Sequence, residues 1–424
     1  MPATTFPASY VRFLQRMDGL RAAGVLLGLD RVRQALMLLG SPDKGIDFVQ
    51  IAGTNGKGST CAMLESILRA AGLRTALFTS PHLLRFTERL KFDGAEVDSA
   101  LLDAALDRVL ATGVPLTYFE AATLVSVCLI ADRGVDVAVM ETGLGGRLDA
   151  VTALPAIVTA ITSVGADHLE ILGPTLLNVA REKASIARAG VPLFMSPLPR
   201  ELEDVVQDVA FAAATPTSVV SMPIRCSALA GEHQQMNAAL ALELARFVMG
   251  AHGRVLPSRA VDEGLAKVFW PGRLEMVEGV LFDCAHNPQG AQALARELNK
   301  RNERPLVLLL SMVDGKDVAG FAAALFPVVQ HVVLTQCSSD RALPVKGLAV
   351  QLITHGSVTE VTDPVAALAA AQRLAHPGGL VVVAGSIFLV GQLRAHMLQH
   401  VADPVPTSDP ATSTANVASA KPWI

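Results

Sequence analysis

Apolar residues along the chain form short continuous runs that alternate with longer amphipathic stretches. In the first half of the chain the runs are Phe48–Ala52, Thr75–Thr79, Val135–Met140 and Ala156–Thr162. Continuous apolar runs of this length are typical of strands that are covered on both faces. The stretches between them predict helices over Ser59–Ala71, Leu176–Ala189 and Asn237–Met249. Strands that alternate with helices indicate an α/β fold with a mainly parallel sheet.

A second series of apolar runs begins near residue 280 and predicts a second domain. Its strands are expected at Val280–Asp283, Leu306–Leu310, His331–Thr335 and Leu380–Ala384. Pro271 and Gly272 break the pattern just before this series, so we place the domain boundary there. The chain is thereby divided into residues 1–271, residues 272–401 and a last segment, 402–424. That segment is rich in Pro, Ser, Thr and Ala, which predicts a disordered tail.

Hydrophobic residues make up 51% of the 424 residues, which raises the question of a membrane span. A spanning helix needs about 20 predominantly apolar residues. The two longest uncharged stretches are Ala150–Ala166, which contains a proline, and Pro377–Leu393, which is interrupted by a Gly-Ser pair. Met1–Arg16 also lacks the apolar core of a signal peptide. We therefore expect no membrane association.

The charge balance and the cysteines narrow the class of protein further. Lys and Arg number 35 and Asp and Glu 39, for a net charge of −4, which argues against a protein that coats nucleic acid. A small anionic ligand is not excluded, because local fields decide its binding. The five cysteines are scattered and form no C-x-x-C motif, as expected of free thiols in a reducing compartment. We expect a cytoplasmic protein.

A glycine-rich segment, Gly53-Thr54-Asn55-Gly56-Lys57-Gly58-Ser59, separates the first predicted strand from the first predicted helix. Backbone amides of such a loop and the helix N-terminus can hold phosphate groups, and Lys57 would face the β- and γ-phosphates. The match to the general phosphate-loop pattern is imperfect. Ile51 stands where the first glycine belongs, and Gly58 stands where Ser or Thr follows the lysine. A glycine-rich turn without phosphate is the alternative.

Polar groups also follow three other predicted strands of the same sheet. They are Thr79-Ser80-Pro81-His82, the segment from Glu141 to Asp149, and Asp167-His168-Leu169-Glu170. Ligands of open α/β sheets collect at the carboxyl ends of strands, where a carboxylate and a hydroxyl can hold Mg²⁺ beside phosphates. Taken singly, Glu141 also fits a structural cap, and His168 fits a hydrogen-bonded loop residue.

Two further charged or polar segments have ordinary explanations when each is considered alone. Arg181-Glu182-Lys183 lies on a predicted helix and fits a solvated face. The segment Asp283-Cys284-Ala285-His286-Asn287-Pro288 ends the first strand of the second domain and fits an Asn-Pro turn. Its polar groups could equally meet a ligand at that strand end.

The motifs in this order resemble the folylpolyglutamate synthase/dihydrofolate synthase family of the Mur ligase superfamily, over roughly residues 20–395. The segments that carry the resemblance are Gly53–Ser59, Thr79–His82, Thr117–Glu120, Glu141–Ala150, Asp167-His168, Leu172–Thr175, Arg181–Ala184, His233-Gln234, Asn237-Ala238, Pro271–Arg273, Asp283–Pro288 and Gly385-Ser386.

The resemblance implies an N-terminal P-loop ATPase domain with a Mur ligase-like, mainly parallel sheet. It also implies a smaller C-terminal Rossmann-like α/β domain that carries the glutamate ligase part, with the active site between the two. The implied activity is ATP-dependent ligation of L-glutamate to 7,8-dihydropteroate and to tetrahydrofolate polyglutamates through an acyl phosphate. ATP and Mg²⁺ are the implied cofactors, the partners are small molecules, and we expect a monomer.

The resemblance also implies roles for individual residues. The implied catalytic residues are Lys57, Lys183 and His286. The implied ATP contacts are Gly56, Lys57, Gly58, Ser59, Asn237, Arg273 and Asp283. The implied magnesium ligands are Ser80, Glu141, His168 and Lys183, the last as a carbamate. The pterin-bearing substrate would meet Thr117, Tyr118, Phe119, Glu120, Leu148, Asp149 and Ala150. The candidates for holding the incoming glutamate are His286 and Ser386.

The chain departs from the family pattern next to these positions. Val151-Thr152 follows Asp149-Ala150 where Thr-Asn is usual, and Ser185 stands where glycine is usual. Substrate preference is therefore left open, as is the question of one activity or two. The alternatives are a cell-wall amino-acid ligase of the same superfamily and a non-catalytic nucleotide-binding protein on its scaffold.

Overall fold

The protein was analysed as a computed structural model that describes residues 6–352, 358–405 and 408–410. The strands of the first sheet are β1 (Asp47–Ala52), β2 (Thr75–Phe78), β3 (Leu90–Phe92), β4 (Ala95–Glu96), β5 (Val137–Glu141), β6 (Ala156–Ile161), β7 (Leu193–Met195) and β8 (Thr217–Val219). They lie in the order β4-β3-β2-β5-β1-β6-β7-β8. All pairs are parallel except those of β3 and β4, which form an antiparallel edge.

Helices cover both faces of this sheet. They are α1 (Ala8–Leu20), α2 (Asp30–Leu38), α3 (Lys57–Ala70), α4 (Ser99–Leu110), α5 (Tyr118–Arg133), α6 (Leu169–Leu172), α7 (Leu176–Ala184), α8 (Arg200–Ala212), α9 (Glu232–Ala251) and α10 (Ser258–Lys267). Along β1 the side chains alternate between two cores. Phe48 packs with α1, α4 and α5, whereas Val49 and Ile51 pack with α3, α9 and α10. Burial on both faces explains why the strands are continuously apolar.

A second sheet carries the C-terminal part of the chain. Its strands are β9 (Glu275–Val277), β10 (Val280–Phe282), β11 (Leu306–Leu310), β12 (His331–Leu334), β13 (Val358–Glu360) and β14 (Leu380–Ala384). They lie in the order β13-β12-β11-β14-β10-β9, and only β9 is antiparallel to its neighbour in this sheet. The helices around it are α11 (Pro288–Asn299), α12 (Val318–Leu325), α13 (Val345–Gln351), α14 (Pro364–Ala375) and α15 (Ile387–Leu398).

The α/β fold predicted from the sequence is confirmed, and the predicted strands are present with small shifts at their ends. The helix predicted over Leu176–Ala189 is too long, since α7 ends at Ala184. There the Ser185 hydroxyl donates a hydrogen bond to the Arg181 carbonyl at 2.8 Å, which competes with continuation of the helix. Across the described ranges, no helix has the combined length and apolar character that crossing a bilayer demands.

Part of the segment predicted as a disordered tail lies instead against the first domain. Asp403 accepts a hydrogen bond from the Tyr10 hydroxyl at 2.7 Å, and Asp409 forms an ion pair with Arg89 at 2.9 Å. These side-chain contacts hold the segment in place, and composition alone does not reveal them. The rest of the predicted tail, residues 406–407 and 411–424, lies outside the described residues.

The contact between α3 and α10 yields a prediction about stability. A Cβ added at Gly264 would lie 2.6 Å from the Cα of Ile67, which is backbone that cannot move aside. Gly264→Ala should therefore lower the free energy of unfolding by about 1–3 kcal/mol, as overpacking does. Gly250→Ala in α9 is the matched control, because nothing lies within 4 Å of its added Cβ. Gly250→Ala should raise the free energy of unfolding by about 0.5–1 kcal/mol. Urea unfolding of both variants compares them, and equal stabilities would contradict close packing at Gly264.

Candidate functional site

The loops that follow four adjacent strands, β2, β5, β1 and β6, meet at one edge of the first sheet. Loops that follow β10, β11 and β14 of the second sheet face them, and together they enclose a cleft of about 630 Å³. Such an edge is where α/β proteins collect ligands. Every site residue named from the sequence lines this cleft except Tyr118, which is buried behind its wall between the Arg89 guanidinium and the core.

The glycine-rich loop between β1 and α3 is held by the loop that follows β6. The amide of Thr54 donates to the Ser163 carbonyl at 2.9 Å, and the amide of Asn55 donates to the Ser163 hydroxyl at 2.9 Å. Lys57 folds back over the loop, where its Nζ donates to the carbonyls of Gly53 at 3.0 Å and Thr54 at 3.3 Å. The lysine and the first amides of α3 are thereby held close together at the cleft, an arrangement that suits an anion.

Two glycines of this loop are required by close neighbours. Gly56 has a φ of 89°, and a Cβ there would lie 2.6 Å from Asn237 Oδ1. A Cβ at Gly58 would lie 2.8 Å from the Trp270 ring. Packing against Trp270 therefore explains why glycine, and not Ser or Thr, follows Lys57 in this chain.

A buried carboxylate lies beside the loop lysine. Glu141, the last residue of β5, accepts a hydrogen bond from the Ser80 amide at 3.1 Å, and its Oε1 is 4.0 Å from Lys57 Nζ. Burial raises the pKa of Glu141, while the charge of Lys57 opposes that rise. A cation close to this carboxylate favours its ionised form, against the effect of burial.

Lys183 is buried on α7, with 4% of its surface exposed, and does not lie on a solvated face. Burial, followed by the charge of Lys57, lowers the pKa of Lys183 from 10.5 to about 7. Its neighbour Glu182 points away and pairs with Arg147 at 2.9 Å. A large fraction of Lys183 is therefore a neutral amine at neutral pH, which is the nucleophilic form.

Residues of the two domains meet at Asp167 and His168. Lys316, from the loop before α12, lies 2.6 Å from Asp167 Oδ1 and 3.5 Å from His168 Nε2. His286 Nε2 lies 3.4 Å from Asp167 Oδ2. Burial by itself would raise the pKa of Asp167, but the His286 hydrogen bond and the charges of Lys316, His286 and His168 hold it far below its ordinary value. The carboxylate therefore links the two domains while it is ionised.

A second contact between the domains starts from the glycine-rich loop itself. The Asn55 side-chain amide donates to Asn287 Oδ1 at 3.1 Å and to Gln289 Oε1 at 2.8 Å. On the other side of the boundary, Asp283 accepts from the amides of Leu274 at 3.0 Å and Ala285 at 2.9 Å. Asp283 thereby orders the segment that carries Arg273 into the cleft.

The opposite end of the cleft is formed by the start of α5. Thr117 and Glu120 form a capping box, in which the Thr117 amide donates to Glu120 Oε2 at 2.8 Å. Glu120 also receives three hydrogen bonds from Arg31, at 2.8, 3.0 and 3.1 Å. Both oxygens of Glu120 therefore have structural partners. Phe119 also lines the cleft, and its ring packs against Gly143, where an added Cβ would lie 2.5 Å away.

The donors near the glycine-rich loop fit a magnesium ion in part. Carboxylate and hydroxyl oxygens are ligands that Mg²⁺ accepts, and Glu141 and Ser80 are adjacent. His168 faces Lys316 and Glu170 instead. Within the described ranges, no three His, Cys, Asp or Glu side chains are arranged to hold a metal ion. Glu141 with Ser80 is the part of the predicted ligand set that fits.

Several cleft residues were not named from the sequence. Lys316 follows β11, and its position after a strand of the second sheet was the signal that could have revealed it. Arg341 also lines the cleft and lies in the loop that follows the parallel strand β12, so the same signal applied to it.

The chain is similar to proteins of known family in both of its domains. Residues 51–192 match the Mur ligase middle domain, and residues 272–387 match the Mur ligase glutamate ligase domain. The dihydrofolate synthase/folylpolyglutamate synthase of Escherichia coli is 33% identical over 416 residues, which cover 91% of this chain and 94% of that protein. The chain belongs to the dihydrofolate synthase/folylpolyglutamate synthase family. The family resemblance inferred from the sequence is thereby confirmed.

Solved structures of the family agree with this fold. Escherichia coli FolC in complex with DHPP and ADP superposes with a TM-score of 0.83 at 30% identity, covering 93% of this chain and 99% of that chain. A bifunctional folylpolyglutamate synthase/dihydrofolate synthase with Mn, AMPPNP and L-glutamate bound gives a TM-score of 0.81 at 30% identity, covering 94% and 99%. The chain spans about half the length of two bifunctional relatives from Haloferax volcanii and Halobacterium salinarum, at 49% and 51%.

The lowered pKa of Lys183 predicts a pH dependence of stability. The unfolded chain binds this proton more tightly than the folded protein does, so stability rises as pH increases from about 7 towards 10.5. Lys183→Met should therefore be more stable than the wild type near pH 7, by on the order of 3 kcal/mol. That difference should shrink at higher pH.

Urea unfolding in CO₂-free buffer at pH 7, 8, 9 and 10 measures this difference. Lys267→Met, which removes an exposed lysine, is the control for loss of a lysine as such. A stability difference for Lys183→Met that stays constant across this range would contradict the shifted pKa.

Proposed function

We propose that this protein is an ATP-dependent ligase that joins L-glutamate to 7,8-dihydropteroate and to tetrahydrofolate polyglutamates. One observation supports this above all others. The phosphate-loop lysine Lys57, the buried Glu141 and the buried Lys183 face one cleft between two domains. Relatives that share this fold and whose lengths the chain covers are named for both activities.

The proposed reaction begins with activation of a carboxylate, because a carboxylate does not condense with an amine at neutral pH. ATP phosphorylates the carboxylate of the pterin-bearing substrate, and ADP leaves. The glutamate α-amine then attacks the acyl phosphate, and phosphate leaves as the amide forms. Catalysis of phosphoryl transfer is mainly positioning and charge stabilisation. Lys57 supplies positive charge at the transferred group, and the amides of the loop hold the remaining phosphates.

Mg²⁺ would be held by Glu141 and Ser80, and when bound it would offset negative charge on the phosphates. We keep His168 and Lys183 as proposed further ligands, although His168 faces Lys316 here. A neutral Lys183 amine could react with CO₂ to form a carbamate, with loss of a proton. Its lowered pKa supports this role, since the protonated amine has no lone pair to offer.

We place the glutamate on the second domain, near His286 and Ser386. Ser386 is the N-cap of α15, and its hydroxyl accepts from the Phe388 amide at 3.2 Å. His286 is held by Asp167 of the first domain. Contacts such as this one and Lys316–Asp167 would keep water from the acyl phosphate when the domains are closed.

We also propose a boundary between residues 271 and 272, cytoplasmic localisation and a monomeric state. Support for the boundary is that α10 ends at Lys267, β9 begins at Glu275, and the glutamate ligase domain match starts at residue 272.

Product analysis tests the proposed reaction. Dihydropteroate and tetrahydrofolate are each incubated with ATP, Mg²⁺ and glutamate. Mass spectrometry of the product counts the glutamates added, and one ADP should be released for each of them. Lys57→Ala should lower turnover by about 10²–10³-fold, because the phosphoryl charge loses its cation. Lys267→Ala is the surface control. ADP release without an amide product would exclude ligase activity, and product from a UDP-muramyl substrate alone would indicate a cell-wall ligase.

Removal of the buried carboxylate tests the magnesium assignment. Glu141→Gln keeps the shape of the side chain but removes its charge, so turnover should fall about 100-fold and require more Mg²⁺. Turnover measured at a series of Mg²⁺ concentrations gives both the maximal rate and the Mg²⁺ concentration required. Glu65→Gln is the matched control. Glu65 is also buried and accepts a hydrogen bond from the Thr75 hydroxyl at 2.7 Å, but it does not line the cleft. Unchanged Mg²⁺ dependence in Glu141→Gln would show that Glu141 is not a ligand.

A further inference from the structure

The last described residues of the chain cross from the second domain to the first. Helix α15 ends at Leu398, and residues 402–405 and 408–410, here called the C-terminal strap, lie against the 3₁₀ helix Phe86–Arg89 and helix α1. The strap forms a second connection between the domains, in addition to the segment between α10 and β9. Its end, Asp409 and Pro410, lines the cleft.

The start of the strap is anchored by buried contacts. Asp403 accepts from the Tyr10 hydroxyl at 2.7 Å and from the Phe86 amide at 2.8 Å, and its own amide donates to the Leu84 carbonyl at 3.3 Å. Val405 packs against the core that α1, α4 and α5 form. Hydrogen bonds to a carboxylate and buried apolar area both favour the docked position.

The end of the strap neutralises a buried arginine. The side chain of Arg89 is 0% exposed, and its two terminal nitrogens lie 3.2 and 2.9 Å from the two oxygens of Asp409. Its Nε donates to His82 Nδ1 at 2.8 Å. The guanidinium lies 5.6 Å from the Phe86 ring centre and 5.3 Å from the Tyr118 ring centre. Arg89 thus connects the strap with the aromatic wall behind the cleft.

A buried guanidinium needs a negative partner, because an unpaired charge in this environment is costly. In the part of the chain that the structure describes, Asp409 is the carboxylate within 4.0 Å of Arg89. Asp409 is itself 35% exposed and reaches the cleft. The Asp409 side chain therefore contacts the buried guanidinium of Arg89 on one side and lines the cleft on the other.

We propose that Asp409 is a positioning residue for the pterin-bearing substrate, delivered to the cleft by the C-terminal strap. This inference rests on the proposed function, because it assigns the end of the cleft near Phe119 to that substrate. Asp409 holds Arg89 against the wall, and Arg89 in turn fixes the His82 ring next to Pro81, which lines the cleft. Without Asp409, the guanidinium turns towards water in the cleft and the wall loses its shape.

The effect should fall on substrate binding more than on phosphoryl transfer. Among the described residues, no hydrogen bond or ion pair joins the strap to Lys57 or Glu141, and Asp409→Asn keeps the charge of Arg89 that acts on Glu141. In Asp409→Asn, the KM for dihydropteroate should rise about five- to tenfold. The kcat and the KM for ATP should stay within about twofold of the wild type. Asp409→Glu restores the charge and should recover most of the affinity. Asp208→Asn, an exposed acid on α8, is the matched control and should not change either constant.

Three outcomes overturn the proposal. An unchanged KM in Asp409→Asn would show that the ion pair does not shape the site. A lowered KM would show that the Asp409 carboxylate competes with the substrate and acts as an intramolecular inhibitor. Equal losses in Asp409→Asn and Asp409→Glu would also overturn it, because charge would not be the cause.

A binding measurement separates this proposal from the proposed function. Equilibrium titration of dihydropteroate into the wild type and Asp409→Asn needs no turnover, and the variant should bind five- to tenfold more weakly. Arg89→Met/Asp409→Asn, compared with each single variant, should show that the loss from Asp409→Asn disappears once Arg89 is removed. If the wild type forms no amide, the proposed function fails. If it forms amide and binding is equal, only the role of Asp409 fails.

Discussion

Burial of charged side chains between two α/β domains is the constraint on which the rest of this structure depends. Glu141 and Lys183 are buried at the end of one sheet, and Lys57 beside them is partly buried. Burial and neighbouring charges therefore raise the pKa of Glu141 and lower that of Lys183. Helix α3 starts at Lys57, so the fold that places the lysine also directs its first amides towards the same point.

The same constraint explains how the two domains are joined. Asp167 stays ionised because His286 and Lys316 of the second domain meet it, and the glycine-rich loop bonds Asn287 and Gln289. These contacts use polar groups that a ligand would also approach. Contact between the domains and approach of a ligand to this cleft therefore draw on the same side chains.

Much of the architecture could be predicted from the sequence. The continuous apolar runs predicted the central strands, because residues such as Phe48 and Val49 face different cores and both must be apolar. The glycine-rich loop and the polar residues after β2, β5 and β6 were predicted to share one edge, and they do. The end of α7 was missed, since the Ser185 side-chain bond that ends it competes with a good helical pattern.

The sequence by itself determined the parallel α/β fold, the place of the glycine-rich loop and the family, because strand burial and loop composition leave local patterns. Only the tertiary structure decided that Lys183 is buried, that Tyr118 lies behind the wall, and that Asp409 meets Arg89 from 320 residues away. Burial and ion pairing depend on which surfaces pack together, and no local pattern records that. The charge state of a side chain is for this reason a property of the whole fold.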